Sequence, residues 1–136
     1  MPFYGSTIAA MAMAMATAPL IAFAVQAAPK AATGNAAAGA KYYLQCRACH
    51  TVAKGGANGV GPNLWRIMGA QAARKPGYDY SPAMNAARLS WSKEAMDGFL
   101  ARPNARVPGN KMAFAGMANP AARRDPIAYL ATLHGQ

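Results

Sequence analysis

The sequence predicts an all-α domain of short helices and long loops. No segment alternates apolar and polar residues over strand length. Good helix formers instead come in short blocks, opened by Asn or Ser and separated by Gly/Pro-rich stretches. Size is the third observation: 136 residues with 54% apolar content make one small domain. Short helices in so small a chain bury too little by themselves, so an internal staple is expected.

The elements follow in chain order. Residues 1–29 contain no Asp, Glu, Lys, Arg or His, and Thr7 to Val25 is an Ala/Met/Ile/Leu-rich run. Val25-Gln26-Ala27 resembles a signal-peptidase site. Residues 1–27 are therefore expected to be a signal peptide or a membrane anchor, although the first cation, Lys30, follows the run instead of preceding it. Residues 28–35 read as a linker and 36–136 as the functional domain. Asn35 is a plausible cap for a helix over Ala36 to Cys46, with Tyr42 or Tyr43 facing inward. Thr51 to Pro62, which holds Gly55, Gly56, Gly59 and Gly61, reads as loop, and Pro76 to Pro82 as a turn. Ser81-Pro82 opens a short helix to Ala87. Ser90 or Ser92 caps another that runs to about Ala101, helped by Glu94 in its first turn and ended by Arg102-Pro103. Asn104 to Gly116 is expected to be loop. Asn119-Pro120 signals the last helix, which runs to about Leu133, but Pro126 conflicts with a helix interior. A later start near Asp125 is the preferred expectation.

Chemistry concentrates in Cys46-Arg47-Ala48-Cys49-His50. This C-x-x-C-H run is the attachment pattern of a c-type haem. Two thiols one turn apart suit the two vinyl groups, and the adjacent imidazole meets the iron. The chain has 2 Cys, both used by one haem. A zinc site would need His50 and His134 as its remaining ligands, with His50 strained beside Cys49. A thioredoxin-like pair would need a strand before Cys46. A simple disulfide is disfavoured by the adjacent His50. Of the Met residues beyond His50, Met96 sits in a helix and reads as core filler. Met112 lies in a loop after the Pro108-Gly109 turn, well placed to reach inward.

Further motifs fall in order: Ala36-Ala37-Ala38-Gly39 before the Cys pair, Gly61-Pro62-Asn63-Leu64, Pro76 to Ser81, Trp91, Pro108 to Phe114, and Ile127-Ala128-Tyr129-Leu130. In these the chain resembles class I cytochrome c, the mitochondrial cytochrome c and bacterial cytochrome c2 group, across nearly all of residues 36–134. The resemblance implies the small cytochrome c fold wrapped around one haem c, bound through Cys46 and Cys49. It implies His50 and Met112 as axial ligands, a pairing that raises the iron's potential. Pro62 would accept the second ring N–H of His50 through its carbonyl. Tyr80 and Trp91 would bond a haem propionate, Phe114 would pack by the haem edge, and Asn110 would support the Met loop.

Departures from the family pattern accompany these matches. Ala70 stands where members often carry an Arg near the buried propionate, with Arg66 and Arg74 as nearby substitutes. Phe99 replaces a Tyr that often bonds the Met sulfur, and Met84 replaces a polar residue of the propionate network.

The implied function is one-electron transfer, not enzymatic turnover, since both axial positions are filled by protein. An enzyme or gas sensor with a labile sixth ligand is the rival, and the intact Met112 loop argues against it. The formal charge of +10 favours acidic partner proteins. Lys54, Lys75, Lys111, Arg47 and Arg106 are candidates to ring the haem edge. By resemblance the donor is a cytochrome bc1-type complex, and the acceptor an oxidase or photosynthetic reaction centre. Nucleic acid is not expected, because Lys and Arg form no dense run. A periplasmic monomer, with or without an N-terminal membrane tether, completes the expectation.

Overall fold

The computed structural model describes residues 1–3, 5 and 33–134. Most of the expected signal or anchor segment, and most of the linker, lie outside the described residues. The architecture below is that of the unit formed by residues 31–136. Its described residues form α1 (Ala36–Cys46), α2 (Pro82–Ala86), α3 (Lys93–Ala101), α4 (Pro103–Arg106) and α5 (Pro120–Thr132). Among the described residues extended pairing is limited to one isolated bridge, Gln71 with Ser90. The all-α expectation holds.

Side-chain caps start the helices where the sequence placed them. Asn35 accepts from the Ala38 N–H at 3.0 Å, Ser81 from Met84 at 3.1 Å and Ser92 from Ala95 at 3.1 Å. Each satisfies one of the backbone donors that a helix start leaves unpaired. Pro82 and Pro120 stand in their helices' first turns, where the missing N–H costs nothing.

The packing of α1 against α5 organises the domain. The buried face of α1 is Gly39 and Tyr43, one turn apart. A Cβ on Gly39 would stand 2.0 Å from the Asp125 carbonyl oxygen, so the helices cross at backbone contact. Tyr43 stacks at a tilt on Tyr129, ring centres 5.5 Å apart. Ile127 and Leu130 on α5, and Leu133 just after it, join Ile67, Met84, Trp91, Met96, Phe99 and Val107 in the core. Met96 is core, as the sequence suggested.

Two expectations need correction. Pro126 does not delay the last helix, which is continuous from Pro120 with the Asn119 side chain accepting from Ala121 at 2.9 Å. The first turn is held by a tertiary clamp that no local signal reveals. Buried Arg123 forks onto Asp97 of α3 at 2.7 and 2.9 Å and donates to the carbonyls of Met117 and Ala118 at 2.6 and 3.1 Å. This clamp and the burial of Pro126 offset the backbone bond that Pro126 removes. Nor is Asn104 loop: Pro103–Arg106 forms the single turn α4, with the Val107 N–H bonded to the Pro103 carbonyl at 2.9 Å. Buried Pro103 ends α3 and begins α4 at once.

Three stability outcomes follow. Gly39→Ala should lose about 1–3 kcal/mol, because the nearest clash is with the Asp125 backbone carbonyl, whereas Gly98→Ala in α3 should gain about 0.5–1 kcal/mol. A Cβ on Gly98 meets nothing nearer than 3.9 Å. Denaturant melts of the two variants must differ in sign. Asp97→Asn should cost about 1–3 kcal/mol, less than a fully buried pair because the Asp97 side chain is 39% exposed. The Arg123 hydrogen bond holds the Asp97 carboxyl below the usual carboxylate range. Its contribution is therefore complete above about pH 4 and is lost as pH falls through the lower folded value. Thermal melts against pH should show a shallower acid loss in Asp97→Asn than in the wild type.

Candidate functional site

Cys46 is the last residue of α1, and the N–H groups of Cys49 and His50 both bond its carbonyl at 3.0 Å. This closing turn puts both thiols and the imidazole on the wall of one crevice. Both Cys are free, Cys46 half-buried and Cys49 exposed. Burial pushes the Cys46 thiol up, and the neighbouring Cys49 adds to the effect. Tyr43, the inward-facing member of the Tyr pair, donates from its hydroxyl to the His50 carbonyl at 2.6 Å. Helix α1 thus fixes the backbone of His50 as well as Cys46.

The His50 ring is fixed from the other side by the following loop. Nδ1 lies 2.7 Å from the Pro62 carbonyl. A carbonyl only accepts, so Nδ1 carries the proton and the Nε2 lone pair remains available. Burial lowers the imidazole's pKa, and the Pro62 bond opposes this in part. Gly61 is needed here: a Cβ would stand 2.4 Å from His50 Cε1. Buried Asn63 holds the loop closed, donating to Thr51 Oγ1 at 2.7 Å and to the Ala53 carbonyl at 3.0 Å. Sequence reading named Pro62 but missed Asn63, although it stands in the Gly61-Pro62-Asn63 motif.

Met112 lines the same crevice from a separate loop. Gly109 turns that loop at φ +84°, a region that favours glycine. Asn110 Oδ1 accepts from the Met112 N–H at 2.8 Å, while its Nδ2 donates to Asn104 Oδ1 and the Val107 carbonyl, both at 2.9 Å. The expected support by Asn110 is present. Its partner Asn104 was missed because α4 was read as loop. Phe114 also lines the crevice, half-buried.

Tyr80 and Trp91 line the crevice too, beside Ser81 and Met84. Trp91 is buried and held by its own backbone N–H on the Ala70 carbonyl at 2.9 Å. It meets Phe99 edge to face at 5.1 Å between centroids. Arg66 and Arg74, the expected substitutes for a cation at Ala70, are both exposed. The crevice therefore gathers Cys46, Cys49, His50, Pro62, Tyr80, Trp91 and Met112.

These residues fit a haem. The walls are mostly apolar, from Leu64, Ile67, Phe99, Leu100 and Leu130, and suit a flat macrocycle. Imidazole nitrogen and thioether sulfur are donors that iron accepts. Among the described residues no three His, Cys, Asp or Glu side chains gather as a metal site, so the zinc alternative lacks its ligands.

Comparisons with known proteins agree. The family model described as Cytochrome c matches residues 36–134. Cytochrome c2 of Rhodomicrobium vannielii is 43% identical over 105 residues, covering 77% of this chain and 84% of that protein. Cytochrome c-554 of Methylosinus trichosporium is 38% identical over 110 residues, covering 81% and 83%. The solved structure of cytochrome cH from Methylobacterium extorquens superposes with a TM-score of 0.68 at 43% identity, covering 73% of this chain and 99% of that one. With the C-x-x-C-H turn set in an apolar crevice and the family model matching residues 36–134, this chain belongs to the cytochrome c family and is an electron carrier that binds haem c covalently through Cys46 and Cys49.

Proposed function

We propose that the chain shuttles single electrons between membrane-bound redox complexes, with His50 and Met112 as the two axial ligands of its haem iron. The iron supplies the ferric/ferrous couple. The observation that carries the reading is that His50 and Met112 face one crevice, the His50 ring held by its bond to the Pro62 carbonyl and the Met112 backbone by the bond its N–H donates to Asn110 Oδ1. Locked ligands suit electron transfer, because little has to move when the charge changes. With His50 and Met112 as ligands the haem would offer no open axial position, and the apolar lining would keep water from it. Tyr80 and Trp91, which line the same crevice, would bond a propionate. This favours a carrier over an enzyme or sensor.

The surface supports docking to acidic redox proteins, with a cytochrome bc1-type donor and an oxidase or reaction-centre acceptor as the proposed pair. Lys54, Lys111, Arg47 and Arg106 are exposed. Lys111 also pairs with Asp79 at 2.6 Å. Lys75 differs from the expectation: its ammonium turns in to the Trp65 carbonyl. A periplasmic location follows if residues 1–27 direct export. Among the described residues no helix is long and apolar enough to cross a membrane. Sequencing the mature N-terminus distinguishes a cleaved signal from a retained tether.

Optical spectra of the holoprotein test the ligands. The wild type should be low-spin, show a ferric methionine–iron charge-transfer band and refuse carbon monoxide. Met112→Ala should lose the band, bind carbon monoxide and fall in reduction potential. Persistence of the band in that variant would assign the ligand elsewhere. Gly61→Ala should displace the His50 ring and lower the yield of attached haem, read from the reduced spectrum per mole of protein. Electron-transfer rates to an acidic partner should fall steeply as salt rises, and salt-independent rates would remove the basic docking face.

A further inference from the structure

Lys75 is partly buried and turns its ammonium inward, whereas Lys111, which lines the crevice, is exposed and paired with Asp79. Lys75 belongs to the loop that delivers Tyr80 and Ser81 to the crevice wall. Its Nζ donates to the Trp65 carbonyl, and its backbone N–H donates to the Tyr80 hydroxyl at 3.4 Å. Lys75 is thus tied at its backbone to Tyr80 of the crevice wall and at its ammonium to Trp65, the neighbour of the crevice residue Leu64. Burial depresses its pKa, and neighbouring Arg66 depresses it further. Among the described residues neither Lys75 nor Arg66 has a carboxylate within ion-pair distance, since the ion pairs found are Lys111–Asp79 and Arg123–Asp97.

That arrangement is unfavourable as it stands. A buried ammonium costs free energy unless an anion compensates it. A surface lysine with no inward attraction would leave its head in water. The Trp65 carbonyl supplies one hydrogen bond but no charge. A haem bound in the crevice would bring two propionates as anions, and Tyr80, Ser81 and Trp91 are among the polar residues that line it. Arg66 and Arg74 are exposed, and Ala70 has no charge to offer.

We propose that Lys75 is the internal counter-cation of a haem propionate, and so a positioning residue that sets the reduction potential of this carrier. The assignment rests on the haem orientation given by the His50/Met112 reading. Its sign follows from Coulomb's law: a fixed positive charge near the haem opposes the extra charge of the ferric state and raises the potential. Removing it favours the ferric form. Neutralising the propionate is the same interaction seen from the carboxylate's side.

The test is potentiometric titration of the holoprotein at one pH and high ionic strength, where exposed charges are screened. Lys75→Met should shift the midpoint downward, Lys75→Arg should stay near the wild type, and Arg66→Met should move it little. The ferric methionine–iron band must be recorded in each variant. If Lys75→Met keeps both the band and the wild-type potential, the counter-cation role is wrong while the axial ligands stand. If Lys75→Met and Arg66→Met shift equally, the effect is one of general charge and the role is again overturned. If Lys75→Met fails to incorporate haem, Lys75→Gln is titrated instead, with the same downward shift expected and an unchanged potential overturning the role. Loss of the band from the wild type would refute the ligand reading, a result distinguishable from all of these.

Discussion

The approach of α1 to α5 at Gly39 sets the terms for the rest of the molecule. With no side chain at the crossing, the α1 backbone meets the Asp125 carbonyl. Tyr43 can then lie on Tyr129 and still reach the His50 carbonyl. One helix pair therefore fixes the first thiol, at the end of α1, and the backbone of the imidazole that follows. Gly34, whose Cβ would lie 2.0 Å from the Arg124 carbonyl oxygen, extends the same close contact toward the start of α1.

The two halves of the site are built on one plan with different parts. On the His50 side a glycine admits the ring, a proline carbonyl orients it, and Asn63 closes the loop. On the Met112 side Gly109 turns the loop, and Asn110 holds the Met backbone while gripping α4 through Asn104. In both, a side-chain amide supplies the hydrogen bonds that a loop lacks, so that an irregular segment becomes as fixed as a helix. The apolar crevice between them makes few polar demands. This division allows a small chain to hold a large cofactor, because rigidity comes from the loops' polar networks and volume from the haem.

Ion pairing contributes at separate places. Arg123 with Asp97 joins α5 to α3 and also grips the Met117–Ala118 backbone downstream of Met112. Lys111 with Asp79 ties the Met112 loop to the loop that carries Tyr80, at the surface. The first is largely removed from water and contributes to stability, whereas the second is exposed and is worth little thermodynamically.

Much of this was legible in the amino-acid sequence. The caps at Asn35, Ser81, Ser92 and Asn119 are local signals, because the residue that ends the preceding loop is the one that bonds the new helix. The C-x-x-C-H turn is equally local, since its geometry is set by one helical turn. The Ile127-Ala128-Tyr129-Leu130 motif supplies two of the residues that α5 buries, Ile127 and Leu130. What the sequence left undecided depended on partners distant along the chain. Pro126 argued for a late helix start, and only the hold of Asp97 on Arg123 decided otherwise. Asn104 read as loop until Asn110 supplied its partner. Lys75 looked like any surface lysine, and Arg66 and Arg74 like better internal cations, until the fold turned Lys75 toward Trp65. The sequence by itself determined the helix starts, the haem attachment turn and the donor residues, because each is written within a few neighbouring residues. The tertiary structure alone decided which cation turns inward and which proline is tolerated, because those outcomes weigh long-range contacts against local preference.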